Sequence, residues 1–345
     1  MRLYLTVLTL ALSSAGVAAQ GASQDDIYRI GPGITPPKLL RKVEPEFTGQ
    51  ARNAGVQGIV ALDIVVGLDG RPSDISIISP LGFGLDERAE EAIRKWEFKP
   101  AAKDGKPVKM GATVQVNFRF RDAWYDATAE RHRTAFNSAL SRLKTNAPRA
   151  VEEARKTILE LADKKFPAAM YVLATWMEEG TAVAKDQEQA LKLFSYAAEK
   201  NYGPALYEIG RMHIEGRQLP LDSEKGLQLV RDAAVLGSPL AQFHVGNVYE
   251  TGKGVARDSE RAERNFRLCA AARQPACQFR LAQLLLKAPA RPERKYIQAI
   301  AWLQLASESG LPQARAVLDQ ELPKLTADQR ESVAKLKTQL IPAVK

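Results

Sequence analysis

The strongest constraint on this chain is that its second half repeats itself. Ala174, Gly210, Gly246 and Ala282 fall 36 residues apart, and Ala169, Ala205, Ala241 and Cys277 keep the same step. So do Leu173, Ile209, Val245 and Leu281, while Gly180, Gly216 and Gly252 are followed by Ala288 in the fourth slot. Asp186, Asp222 and Asp258 share the spacing. A period in the thirties indicates stacked supersecondary units, none of which can bury its apolar face alone. In the second unit Ala205, Ile209, Gly210, Met212 and His213 predict one helical face, and Gly216 stands where that helix should stop. Asp222 is placed to cap the next helix, its carboxylate accepting from the first, otherwise unpaired amides. Gly226, Leu229, Val230, Ala233 and Ala234 then predict an inward face whose small residues let two backbones approach. Each unit is a helix–turn–helix.

The pattern is clearest in the third unit, where Ala241, Val245, Gly246, Tyr249, Gly252, Gly254, Val255, Asp258 and Ala262 fall in register. These residues resemble the Sel-one-like repeat, a relative of the tetratricopeptide repeat. The fourth unit departs: Ala288 replaces the glycine, and the stretch 289–295 is rich in Pro and Arg. Ala299, Trp302, Leu303 and Ala306 then recover the second-helix pattern. Upstream, Ala154, Ile158, Leu161 and Ala162 precede Ala190, Phe194, Ala197 and Ala198 by the same 36 residues. We expect a capping helix pair over 126–165, repeats over 166–320, and a C-terminal capping helix or tail over 321–345. The whole is an all-α helix–turn–helix repeat solenoid.

The first half follows period two instead. After a polar, flexible lead (20–36), Ile59–Val66 reads as a strand with Val60, Leu62, Ile64 and Val66 on one face. Asp69-Gly70 signals a hairpin into a strand at Ser73–Ser79. Leu85–Trp96 reads as a helix with Asp86 as a candidate cap. In the last strand Ala112, Val114, Val116, Phe118 and Phe120 alternate with polar residues. With a short helix at Glu46–Ala54, the order is short helix, two strands, helix, edge strand, a small α+β domain over 37–121. Pro45, Ala51, Gly55, Gly58, Asp69-Gly70, Gly84-Leu85-Asp86, Ala89, Ala92, Trp96-x-Phe98-x-Pro100-Ala101 and Gly105-Lys106-Pro107-Val108 resemble the C-terminal domain of the TonB family.

That resemblance implies a partner, an envelope or outer-membrane protein, whose extended segment adds as a strand to the sheet edge. Thr113, Val114, Gln115, Val116, Asn117, Phe118 and Arg119 are the expected partner-strand residues. An edge kept soluble by its polar side chains, or used for homodimerisation, is the competing reading. The resemblance also implies an energy transducer, which needs an anchored N-terminal helix with a membrane-embedded histidine. His132, His213 and His244 are the only histidines, and none is near the N-terminus.

Arg2, the apolar run Leu3–Leu12 and Val17-Ala18-Ala19 read as a signal peptide over 1–19, so we expect a periplasmic location. Retention as an inner-membrane anchor is the alternative. In an oxidising compartment the cysteine pair, Cys269 and Cys277, takes on meaning. Both occupy core slots facing one inter-helix seam. Their eight-residue spacing is similar to that in the cysteine-rich secreted branch of the Sel-one-like family, which staples neighbouring helices. A disulfide and two buried thiols are the alternatives.

A net charge of +9 arises from 49 Lys and Arg against 40 Asp and Glu. The two signs are interspersed, so no nucleic-acid partner is expected, and weak attraction to anionic envelope surfaces or solubility accounts for the excess. His213 and His244 lack Cys or acidic partners at ligand spacing, which leaves no metal site. Gly252-Lys253-Gly254-Val255 lacks the ending of a phosphate loop. No nucleophile elbow or Ser-x-x-Lys motif occurs. The sequence predicts a non-enzyme with no catalytic residues, no cofactor and no small-molecule substrate. Trp176, Tyr196, Tyr207, Phe243 and Trp302 read as core.

Overall fold

The computed structural model describes residues 27–28, 31, 33–54, 56–119, 127–145, 147–287 and 293–340. The expected leader over 1–19, Phe120 and Ala288 lie outside the described residues. The chain divides into two compact units. One combines the residues up to Arg119 with those from Phe266 onward, and the other runs from Phe120 to Asn265.

The first unit opens with β1 (Ile34–Thr35), β2 (Lys38–Arg41), α1 (Gly49–Ala54), β3 (Gly58–Val66), β4 (Pro72–Ser79) and α2 (Leu85–Ile93). β5 (Glu97–Lys99), β6 (Ala101–Lys103), β7 (Lys106–Val108) and β8 (Met110–Phe118) follow. β3 lies at the centre of an antiparallel sheet ordered β4–β3–β8. Its alternation dictates the packing: Val60, Leu62, Ile64 and Val66 are fully buried. They meet Val114, Val116 and Phe118 of β8, Leu85, Ala89 and Ile93 of α2, and Trp96. Burying each large side chain contributes about 2 kcal/mol. Trp96 satisfies its one donor by giving Nε1–H to the Val43 carbonyl at 2.9 Å. Gly70 has no room for a side chain, because a Cβ would fall 2.0 Å from the Phe98 carbonyl oxygen.

Two expectations need correction. Asp86 does not cap its own helix. Gly84 occupies that position without a side-chain bond. The buried Asp86 carboxylate instead turns back to accept from the Leu81 and Gly82 amides, both at 2.7 Å. These amides belong to the tight turn that feeds α2, and no helical hydrogen bond reaches them. The domain also carries more strands than period two reveals. β2 pairs with β5, β1 with β6, and β6 with β7. Each is four residues or fewer, with Pro100 and Gly105 falling between them, so none offers a run long enough to read.

The second unit holds α3 (Ala127–Leu143), α4 (Pro148–Asp163), α5 (Pro167–Glu179), α6 (Gln187–Glu199), α7 (Gly203–Glu215), α8 (Ser223–Val235) and α9 (Pro239–Thr251). The chain leaves it within α10 (Ser259–Ala271). The aspartates cap as the sequence predicts. Asp186, Asp222 and Asp258 accept from the amides of Gln189, Lys225 and Arg261 at 2.9, 3.0 and 2.9 Å. First helices end on the left-handed glycines Gly180, Gly216 and Gly252. α7 and α8 touch backbone to backbone: a Cβ on Gly210 would lie 2.9 Å from the Gly226 oxygen, and one on Gly226 2.6 Å from the Gly210 oxygen. His213 is buried in its repeat slot, with Nδ1 3.0 Å from the Pro220 carbonyl oxygen.

The first unit resumes with α11 (Pro275–Leu286), α12 (Glu293–Glu308), α13 (Pro312–Glu321) and α14 (Ala327–Leu340). Cys269 and Cys277 are buried at the end of α10 and the start of α11, with their sulfurs joined at 2.08 Å. Among the aromatics read as core, Trp302 is fully buried, whereas Trp176, Tyr196, Tyr207 and Phe243 keep part of their surface exposed.

Candidate functional site: a sheet edge and a polar helix face

β8 forms an edge of its sheet, and its two flanks differ. Along one flank the register with β3 is unbroken from Gly58↔Phe118 to Val66↔Met110. On the other flank Tyr28 makes a parallel bridge. Its amide donates to the Lys109 carbonyl at 2.8 Å, and its carbonyl accepts from the Gly111 amide at 3.2 Å. Because backbone groups alternate along a strand, the odd-numbered residues face outward. Thr113, Gln115 and Asn117 therefore turn N–H and C=O away from β3, and nothing among the described residues pairs with them. Val114, Val116 and Phe118 pair with β3 and bury their side chains. The seven expected partner-strand residues thus separate into outward-facing backbone positions and core positions. Arg119 is exposed just beyond β8.

The sheet's outer face has a charged centre that the sequence did not reveal. Ser76, Asp63 and Thr113 stand in one row across β4, β3 and β8. Thr113 Oγ1 donates to Asp63 Oδ1 at 2.7 Å. Arg294, in the first turn of α12, places Nε 3.3 Å from Asp63 Oδ2 and hydrogen-bonds Ser76 Oγ. The 231 residues separating Asp63 from Arg294 left no local signal.

In the other unit, α5, α7 and α9 carry half-buried polar and aromatic side chains. Arg211 pairs with Glu208 at 3.3 Å and Glu215 at 3.0 Å, and Arg217 with Glu178 of the preceding repeat. Tyr207 stacks edge-on against His244 with ring centroids 6.2 Å apart. Burial pushes the Tyr171 hydroxyl up to about 12 and raises the Glu208 carboxyl, while the Arg211 hydrogen bond lowers Glu215. Burial, with Arg211 and Lys253 nearby, lowers His244. The arginines and glutamates of this face thus neutralise one another.

Among the described residues no cluster of His, Cys, Asp and Glu has the makings of a metal site, and no helix is long and apolar enough to cross a membrane.

A strand-edged domain joined to helical-hairpin repeats is a combination of protein-interaction modules. The family model described as "Gram-negative bacterial TonB protein C-terminal" matches residues 43–120. The Sel1 repeat matches residues 167–202, 203–238, 239–272 and 275–311. The chain therefore carries a TonB C-terminal domain followed by four Sel1 repeats, both of them non-catalytic interaction domains. "Protein TonB" of Vibrio cholerae is 29% identical over 108 residues, 31% of this chain and 43% of that protein. "Protein tonB2" of Pseudomonas aeruginosa is 31% identical over 81 residues, 23% of this chain and 30% of that protein. The chain thus spans less than half the length of these curated relatives. Among solved structures, a Sel1 repeat protein from Oxalobacter formigenes is similar at 22% identity and a TM-score of 0.43, covering 61% of this chain and 98% of that one.

Proposed function

We propose that this chain is a non-enzymatic adaptor of the bacterial periplasm. Its TonB-like sheet takes up an extended segment of an envelope or outer-membrane protein along β8, and its repeats hold a second protein. The observation that carries this reading is the row of outward backbone groups at Thr113, Gln115 and Asn117, which begins where the Tyr28 bridge ends. Backbone pairing would supply affinity, and the side chains flanking the edge would select the partner. The Tyr28 bridge limits the incoming strand at the β8 start, leaving a window of about seven residues from Thr113 to Arg119.

Gln115→Pro isolates this use of the edge. Proline removes the outward N–H of residue 115 and leaves the ladder to β3 intact, because that amide does not face β3. Capture of the envelope partner should be lost while the folded spectrum and melting temperature hold. Capture that survives Gln115→Pro would contradict strand addition.

The TonB-named relatives favour a second reading, a membrane-anchored energy transducer acting on outer-membrane transporters. The intact mass of the protein from cell envelopes separates the two. A mass beginning at Gln20 in the soluble periplasmic fraction supports the adaptor, and a full-length mass in the membrane fraction supports the transducer.

A further inference from the structure

The β2–β5 ribbon carries an arrangement that strand addition does not use. Lys38 and Lys99 are direct cross-strand partners, both exposed. Like charges placed opposite each other destabilise a sheet, and among the described residues neither lysine has a carboxylate partner. Beyond the Leu39↔Phe98 pair, Arg41 stands opposite Glu97, and the register breaks between Leu39 and Arg41. The irregularity falls at Leu40, which is 64% exposed, while its neighbour Leu39 packs on the core. A bulge of this kind re-aims a side chain. Arg71 reaches the same carboxylate, so Arg41 and Arg71 both sit 3.3 Å from Glu97. Two guanidiniums thus share Glu97, while the two lysines of the same ribbon, which also carries the solvent-facing Leu40, have no carboxylate of their own among the described residues.

We propose that this ribbon is a docking surface for an anionic phospholipid membrane. The charges fix the sign of the ligand, and two further features favour a lipid surface over an acidic peptide. Each guanidinium already has one nitrogen on Glu97 Oε1 at 3.3 Å, so the cations with no acid beside them are lysines, point charges suited to a diffuse anionic surface rather than to bidentate carboxylate recognition. Leu40, standing out among them, offers an apolar contact that headgroup-level insertion would cover. The repulsion between Lys38 and Lys99 is relieved when phosphates gather over them.

Co-sedimentation of the full chain with vesicles tests this. One set is phosphatidylcholine alone, and the other contains a third phosphatidylglycerol. The chain should partition onto the anionic set, release with added salt, and leave the neutral set unbound. Each lysine charge near an anionic surface accounts for about a fivefold change in partitioning. Lys38→Gln with Lys99→Gln should therefore weaken binding about 25-fold. Lys99→Glu is the second variant, because it turns the repelling pair into an attracting one. It should melt no lower than the parent and still lose about 25-fold in partitioning. Unchanged partitioning of Lys99→Glu, equal binding to neutral vesicles, or binding to polyglutamate without binding to vesicles would each overturn the proposal.

Discussion

Arg294 is fastened to Asp63: the guanidinium of the first turn of α12 lies 3.3 Å from a carboxylate at the centre of the outer face of the TonB-like sheet. Asp63 accepts on its other oxygen from Thr113, the first expected partner-strand residue. The sheet and the helices that follow Phe266 are thereby joined by a partly buried pair, with 14% of the Asp63 side chain and 31% of Arg294 exposed. A double-mutant cycle of Asp63→Asn and Arg294→Gln should give a coupling of about 1 kcal/mol, at the upper end for partly exposed pairs. Additive effects would show that the pair contributes nothing.

The aspartate caps predict a graded loss of repeat stability. Asp222→Ala removes the acceptor for the Lys225 amide and should cost about 1 kcal/mol in urea unfolding, whereas Asp222→Asn or Asp222→Ser should cost little. An alanine variant indistinguishable from the parent would contradict the cap.

Gly210→Val should be more severe. The α7–α8 crossing leaves no space for even a Cβ, so the helices must separate, at a cost of about 2–3 kcal/mol. The chain should unfold at visibly lower denaturant. A neutral result would mean that the helices do not approach as closely as described.

His244 makes the repeats sensitive to pH. Its pKa in the folded chain lies below the ordinary 6.5, so the unfolded chain binds the proton more readily. The stability it contributes is complete above 6.5 and is lost as the pH falls through the folded value. Glu208, raised above its ordinary 4.5 by burial, has the opposite sign: its contribution declines as the pH rises from 4.5 through its folded value. Comparing parent with His244→Gln isolates the histidine. Between about pH 7 and about pH 5 the variant should lose less melting temperature than the parent. Parallel slopes would contradict the shift.

The repeats were legible because their determinants are local and recur. A cap, a terminal glycine and a small-residue crossing each depend on neighbours within a few dozen residues, and the period exposes them. The β3–β8 core was legible for a similar reason, since Val60 to Val66 and Val114 to Phe118 alternate cleanly. Asp86 looks like a cap in sequence because the same residue type serves a helix cap and a turn, and the choice depends on whether Gly84 already occupies the cap position. The Tyr28 bridge, the Lys38↔Lys99 pair and the Arg294–Asp63 contact were invisible. Each joins segments far apart in sequence, and neither periodicity nor propensity points to a partner at that range.

The most direct test of the central claim is a photo-crosslinking side chain at Gln115, an exposed position on the open edge. It would be introduced in intact cells, and the adducts mapped to individual peptides by mass spectrometry. Adducts with an extended segment of an envelope or outer-membrane protein are expected, and they should be lost when Asn117→Pro is added. Adducts formed only with other copies of this chain would contradict capture and identify β8 as a dimer edge.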